Sequence, residues 1–125
     1  MYAADAAEMI ENYTDNATPE TLVVMLTSGN SDGGKRATLA FTAATCAAAM
    51  DKRTVMFLVG DGAHWAYEGR TTGVQQTGFP ALEELMESLV EMGGEIYVCS
   101  ACDHVCSVPS DDEAEGMKRH PAIYP

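Results

Sequence analysis

The sequence predicts an α/β domain with a mostly parallel sheet between two layers of helices. Three observations support this fold class. Short apolar runs of strand length recur along the chain, helical patterns lie between them, and glycine-rich turns bound both. Strands that alternate with helices require right-handed crossovers, which give parallel strands with helices on both faces. A chain of 125 residues is long enough for one such core and too short for two domains.

Three segments have the composition of buried parallel strands. They are residues 21–27 (TLVVMLT), 54–59 (TVMFLV) and 95–99 (EIYVC). Each is a short apolar run rather than a strict alternation of apolar and polar residues. Such a run is typical of a strand that is covered on both faces.

Two helices are predicted between these strands. Residues 35–50 are rich in alanine at helical spacing, and Cys46 within them is interpreted as a core residue. Residues 80–92 carry apolar side chains at i, i+3, i+4, i+7 and i+8, the pattern of one buried stripe, and Gly93 follows as a stop signal. The loop at residues 63–79 is long enough to predict a functional lid or partial disorder.

The sequence predicts a short helical segment near each end of the chain. We expect residues 1–20 to form a peripheral helical extension and residues 21–125 to form the single domain. Residues 110–113 (SDDE) have the form of a capping box, which predicts a short helix to about residue 118.

Charge and hydropathy exclude several function classes. Nineteen acidic and seven basic residues give a net charge of −12, which repels phosphate backbones and anionic membranes. No apolar run reaches the roughly 18 residues of a membrane-spanning helix, and the N-terminal residues lack the features of a signal peptide. We therefore expect a cytoplasmic protein that binds neither nucleic acid nor membranes. In that compartment, four cysteines indicate reactive or metal-binding thiols rather than disulfides.

Ligands of parallel α/β sheets bind beyond the C-terminal ends of the strands. Residues 28–34, 60–65 and 99–106 are predicted at that edge. Residues 29–35 match the letters of a phosphate-binding loop, GxxxxGK, and Asp61 could imitate its second acidic motif. However, Arg36 stands where that motif needs a magnesium-binding hydroxyl, and Asp32 would point a carboxylate at the phosphates. A turn that leads into a helix is therefore favoured over a nucleotide site.

The second segment of this edge contains His64 and Trp65. Three roles are open to His64: a base, a metal ligand or a surface residue. Trp65 is predicted to pack the following loop onto the body of the domain, because a large aromatic ring contributes most when it is buried.

The third segment holds the strongest chemical signal, a cluster of Cys99, Cys102 and Cys106 with His104 nearby. Cys99 ends a strand and precedes a predicted helix start, where backbone amides stabilise a thiolate. Four interpretations remain open from the residues alone. They are a zinc site, a CxxC redox dithiol, a sulfur carrier that uses one activated thiolate without a cofactor, and inert cysteines.

The chain resembles the DsrE/DsrF/TusD sulfur-relay superfamily. The resemblance is carried by LVVMLTSGNSDGGKRATLAF, VMFLVGDGAHWAYEG and ALEELMESLVEMGGEIYVCSAC, which together span roughly residues 21–108. The last segment is the most specific, because the family's sulfur-carrying cysteine follows the third strand and Cys99 matches that position. The resemblance implies a flavodoxin-like topology and assembly into trimers or hexamers.

The resemblance also implies a function. Cys99 would accept sulfane sulfur as a persulfide and pass it from a donor protein to an acceptor protein, with no cofactor and no metal. Cys102 would serve as an auxiliary or resolving thiol, and the pocket would be lined by Asn30, His64, Trp65 and Cys106. The alternative is a metal-binding or dithiol redox module that uses Cys99, Cys102 and Cys106. The short acidic stretch after Cys106 predicts a sheet without the family's last strands, or a tail that takes a different path.

Overall fold

The computed structural model describes residues 20–99 and 118–124 of the chain. Within them, strands and helices alternate in the predicted order. The elements are β1 (Thr21–Leu26), α1 (Lys35–Ala49), β2 (Arg53–Leu58), α2 (Leu82–Glu91) and β3 (Glu95–Val98). Short 3-10 segments follow the first two strands, at Asn30–Asp32 and Gly60–Ala66. The predicted N-terminal extension, Cys102, Cys106 and the helix expected after Ser110 lie outside the described residues.

The sheet is parallel, with strand order β1-β2-β3. Its register pairs Met25 with Phe57, and Phe57 with Tyr97. Strand order follows chain order, so right-handed crossovers bring both helices to the same face. The predicted α/β class with a parallel sheet is confirmed, whereas residues 20–99 and 118–124 show helices on one face of the sheet and not the second layer that was also predicted.

The hydrophobic core lies between that face and the two helices. Alternate strand residues point into it because successive side chains of a strand face opposite sides. The fully buried large apolar side chains of the core are Phe41, Met56, Leu58, Trp65, Leu82, Met86, Leu89 and Ile96. Three residues of the apolar stripe predicted for α2 are among them, namely Leu82, Met86 and Leu89, and Leu85 is also buried. Val90, the last residue of that predicted stripe, is 38% exposed, so the periodicity indicated the buried side correctly except at this position.

The opposite face of the sheet is partly exposed among the described residues. Val23 and Met25 on β1 are 55% and 65% exposed, and Phe57 on β2 is 37% exposed. Tyr97 stacks on Phe57 with ring centroids 5.4 Å apart, and Tyr124 lies 4.8 Å from Tyr97 on its other side. The expectation that each strand is buried on both faces is therefore not met at β1.

Cys46 is exposed, and its interpretation as a core residue is wrong. The buried alanines of α1 include Ala44 and Ala47. At 3.6 residues per turn, Cys46 is rotated about 200° from Ala44, so its side chain leaves the buried stripe. It lines an open groove of about 520 Å³ between β1 and the C-terminal part of α1, together with Leu22 and Met50.

The long segment after β2 is packed onto the domain rather than standing off as a lid. Trp65, Tyr67 and Thr71 are buried. The side-chain amide of Gln76 donates to the carbonyl of Gly33 at 3.1 Å, which ties this segment to the loop after β1. The predicted role of Trp65 in packing this segment is confirmed by its complete burial.

The C-terminal residues 118–124 run beside β3 and are held at several points. Ile123 forms a parallel bridge with Ile96, and the amide of His120 donates to the carbonyl of Ala66 at 2.8 Å. Nδ1 of His120 accepts a hydrogen bond from the amide of Ala122, so Nε2 donates to Glu83 on α2 at 2.5 Å. Within the described part of the chain, no helix has the length and apolar character needed to cross a membrane.

Candidate functional site

The loops that follow β1 and β2 are in backbone contact at the C-terminal edge of the sheet. A Cβ atom on Gly29 would lie 2.8 Å from the carbonyl oxygen of Asp61, and one on Gly62 would overlap the carbonyl of Leu26. Only glycine permits this close approach. Nε1 of Trp65 then donates to the carbonyl of Ser28 at 2.9 Å and fastens the second loop to the first.

These two loops enclose a cavity of about 240 Å³. Its lining residues are Gly29, Asn30, Ser31, Asp61 and His64. The structure thus brings together Asn30 and His64, two of the residues predicted from the sequence to line the pocket. Trp65, which was also predicted to line the pocket, is not among these residues. It is completely buried and meets the ring of His64 edge-on, with centroids 4.7 Å apart.

His64 is further held by Arg70, a residue that no motif in the sequence indicated. Nη1 of Arg70 lies 2.5 Å from Nδ1 of His64, and the guanidinium also lies over the ring of Tyr67, 5.8 Å from its centroid. Burial and the nearby charge of Arg70 lower the pKa of His64. The imidazole is therefore neutral at neutral pH, because its ordinary pKa is already about 6.5.

The N-terminus of α1 shows why the GxxxxGK match is not a phosphate site. Oδ1 of Asp32 accepts a hydrogen bond from the amide of Gly34 at 3.1 Å, and Oδ2 accepts one from the amide of Arg36 at 3.0 Å. The bond from Arg36 is the main cause of the lowered pKa of Asp32. The carboxylate thus occupies the amides that a phosphate would need, which agrees with the favoured interpretation of a turn that leads into a helix.

Cys99 directly follows β3 at the same edge of the sheet. Its amide donates to the carbonyl of Leu58 at 3.0 Å, so its backbone lies beside the end of β2. Neighbouring strands are about 4.8 Å apart, which sets Cys99 one strand from the loop that carries Asp61 and His64. Cys99 is a free, half-buried thiol.

The structure therefore places Cys99, Asn30 and His64 along one edge, whereas Cys102 and Cys106 lie outside the described residues. Ser31 and Asp61 line the cavity although neither was predicted to do so. Asp61 stands in a GDG turn directly after a strand, a signal that could have indicated it. Among residues 20–99 and 118–124, no group of three or more His, Cys, Asp or Glu side chains is arranged to hold a metal ion.

Comparison with known proteins shows similarity over most of the chain. An uncharacterized protein of Methanocaldococcus jannaschii is 28% identical to this chain over 99 residues. The similarity covers 79% of this chain and 36% of that protein, so the chain spans about a third of the length of its relative. The DsrE/DsrF-like family model matches residues 22–120, which include β1 except for its first residue, the other four elements, the cavity and Cys99. The chain belongs to the DsrE/DsrF-like family, which is generally associated with sulfur relay.

Proposed function

We propose that this protein is a sulfur carrier that takes up sulfane sulfur as a persulfide on Cys99 and passes it to a thiol of a partner protein. The observation that carries the proposal is the location of Cys99. It is a free thiol at the C-terminal end of a parallel strand, beside the loop that forms a polar cavity. Membership of a family associated with sulfur relay supports the same chemistry.

The transfer needs no cofactor and no external oxidant. The Cys99 thiolate attacks the sulfane sulfur of a donor, for example a polysulfide. A bond forms between Sγ and that sulfur, the sulfur–sulfur bond of the donor breaks, and the bonding electron pair leaves with the shortened polysulfide. An acceptor thiolate then attacks the terminal sulfur of the persulfide and releases the Cys99 thiolate. The thiolate is the reactive form in both steps.

The remaining assignments follow from this proposal. Asn30 and His64 line the pocket that receives the donor or acceptor group, and the buried ring of Trp65 packs against His64. Cys102 is the thiol that resolves the persulfide, with Cys106 as a weaker candidate. The donor and acceptor are proteins of the cytoplasm, where thiols stay reduced. An acidic carrier with a net charge of −12 suits partners with basic surfaces.

The proposal is tested by mass spectrometry after incubation with inorganic polysulfide. We expect wild-type protein to gain one sulfur atom that is released by a reductant, and Cys99→Ser to lose that adduct. Cys46→Ser is the matched control, because Cys46 is an exposed thiol away from the cavity and its removal leaves the Cys99 adduct in place. An adduct that persists on Cys99→Ser contradicts the assignment.

Elemental analysis separates this function from the metal-binding alternative. Protein purified without added metal is expected to carry no stoichiometric zinc. About one equivalent of zinc that disappears in Cys102→Ser would instead favour a structural cysteine site.

A further inference from the structure

The orientation of the His64 ring is fixed from two sides. The buried Trp65 ring meets it at an angle of 88°, and Nη1 of Arg70 approaches Nδ1 to 2.5 Å. Trp65 is itself fastened to the carbonyl of Ser28. The ring therefore has a defined direction relative to the cavity that it lines.

The contact with Arg70 also determines the tautomer. A guanidinium nitrogen can only donate a hydrogen bond, so Nδ1 of His64 must be the acceptor. In a neutral imidazole one nitrogen accepts and the other carries the proton, which places the proton on Nε2. A protonated imidazole would turn Nδ1 into a donor and break the bond with Arg70. Burial of the ring and the charge of Arg70 act in the same direction, since both lower its pKa.

From this geometry we infer that His64 donates a hydrogen bond from Nε2 to the sulfur species that reacts at Cys99 and does not act as a base toward it. The inference rests on the proposed function and names the role of one cavity residue in it. Of the three roles that the sequence left open for His64, the contact argues against the base, because the nitrogen that could take up a proton is held by Arg70.

A donor suits the chemistry of sulfur transfer better than a base does. The thiolate needs no base once it has formed, but negative charge is carried by the attacked donor and by its leaving group. A fixed N–H beside that charge stabilises it without reorganisation during the reaction. The ligand class is therefore a small anionic sulfur chain, such as a persulfide or polysulfide.

The tautomer is tested independently of activity by long-range ¹H–¹⁵N correlation spectra of the imidazoles. The chain has three histidines, and the signals of His64 are assigned as those missing from His64→Gln. At neutral pH we expect an unprotonated Nδ1 and a protonated Nε2. A proton on Nδ1, in the neutral or the charged ring, would overturn the inference.

The role is tested by the rate at which inorganic polysulfide converts Cys99 to its persulfide. Glutamine can place an N–H near the position of Nε2, whereas alanine cannot. We expect His64→Ala to be slower by about tenfold, the value of one hydrogen bond, and His64→Gln to stay within about threefold of wild type. Circular dichroism spectra that match wild type show that both variants are folded.

The outcomes distinguish this inference from the proposed function. If Cys99 gains no sulfur in any of the three proteins, the proposed function fails and the role of His64 fails with it. If all three gain sulfur at the same rate, or His64→Gln is as slow as His64→Ala, sulfur carriage stands and the inference about His64 is wrong.

Discussion

Thr38 is a buried polar residue whose hydroxyl makes no hydrogen bond with any described residue. It is fully buried on α1, and its Oγ1 has no hydrogen-bond partner among the described residues. Valine has nearly the same shape and helix propensity without the hydroxyl. We expect Thr38→Val to raise the free energy of unfolding by about 1 kcal/mol, because an unsatisfied buried hydroxyl is removed. Urea denaturation followed by circular dichroism measures the change.

Thr42 provides the matched control for this prediction. Its Oγ1 donates to the carbonyl of Thr38 at 2.7 Å, so Thr42→Val removes a made hydrogen bond and is not expected to stabilise the protein. A loss of stability in Thr38→Val would show that the hydroxyl has a partner.

His64 predicts a dependence of stability on pH. Burial and Arg70 lower its pKa, so the unfolded chain binds the proton more tightly than the folded protein does. Above the ordinary pKa of about 6.5, the imidazole is neutral in both the folded and the unfolded chain, and folding carries no protonation cost. As the pH drops through that value toward the lower folded pKa, the unfolded chain takes up the proton first, and the free energy of unfolding decreases. We expect wild type to lose more stability than His64→Gln between about pH 7.5 and pH 5. The effect is small because the ring is partly solvated, and equal losses in the two proteins would contradict it.

At the residue scale, the sequence predicted where a residue lies along the sheet better than it predicted which side chains are in contact. Cys99 and Asn30 could be placed at the edge of the sheet because each follows a recognisable strand. Arg70 could not be found in this way, because its contact with His64 depends on the path of an irregular segment. Periodicity carries no information about such a path, and the tautomer of His64 depends on that single contact.

At the scale of the elements, Asp32 controls the start of α1. Its two carboxylate oxygens accept hydrogen bonds from the amides of Gly34 and Arg36, which have no partners within the helix. We expect Asp32→Ala to lower the free energy of unfolding by about 1 kcal/mol, the usual value of a helix cap. Asp32→Asn, which keeps one acceptor oxygen, should lose less.

The stabilisation of the start of α1 by Asp32 is expected only within a defined pH range. The amide of Arg36 is the main cause of the lowered pKa of Asp32, and burial opposes it only in part. A lowered pKa means that the stabilisation is present above the ordinary aspartate pKa of about 3.9 and is lost as the pH falls through the lower folded value. Thermal unfolding of wild type and Asp32→Ala should therefore converge in acid. A difference that stays constant down to pH 2 would contradict this account.

The elements themselves were predictable to within about two residues at each end, the precision that such patterns usually give. The apolar stripe of α2 and the glycine after it mark its buried side and its end. Residues 63–79 were harder, because they pack through Trp65 and Tyr67 without any periodic pattern. Cys46 was misplaced because alanine is so frequent in α1 that composition alone does not reveal which side is buried.

At the scale of the whole molecule, charge and apolar surface are unevenly distributed. One face of the sheet exposes Val23 and Met25 on β1, Phe57 on β2 and Tyr124 from the C-terminal segment. Strand β1 pairs with β2, and its six residues carry no charge. Within the part of the chain that the structure describes, β1 is an edge strand, and an uncharged edge strand is a surface on which other chains can pair. The exposed apolar surface favours association, whereas the net charge of −12 repels a second copy of the chain.

The predicted homo-oligomer can be tested by changing the charge repulsion and the apolar contact separately. If copies associate through β1 and its exposed face, salt should strengthen association, because it screens the charge repulsion while the apolar contact remains. We expect sedimentation velocity to show larger species as the salt concentration rises. Met25→Lys should shift the distribution toward the monomer, since a lysine on an edge strand blocks pairing. Leu39→Lys, which changes an exposed leucine on α1, is the control and should leave the distribution unchanged. A wild-type protein that stays monomeric at every salt concentration would contradict assembly through β1 and leave the apolar face for a different partner.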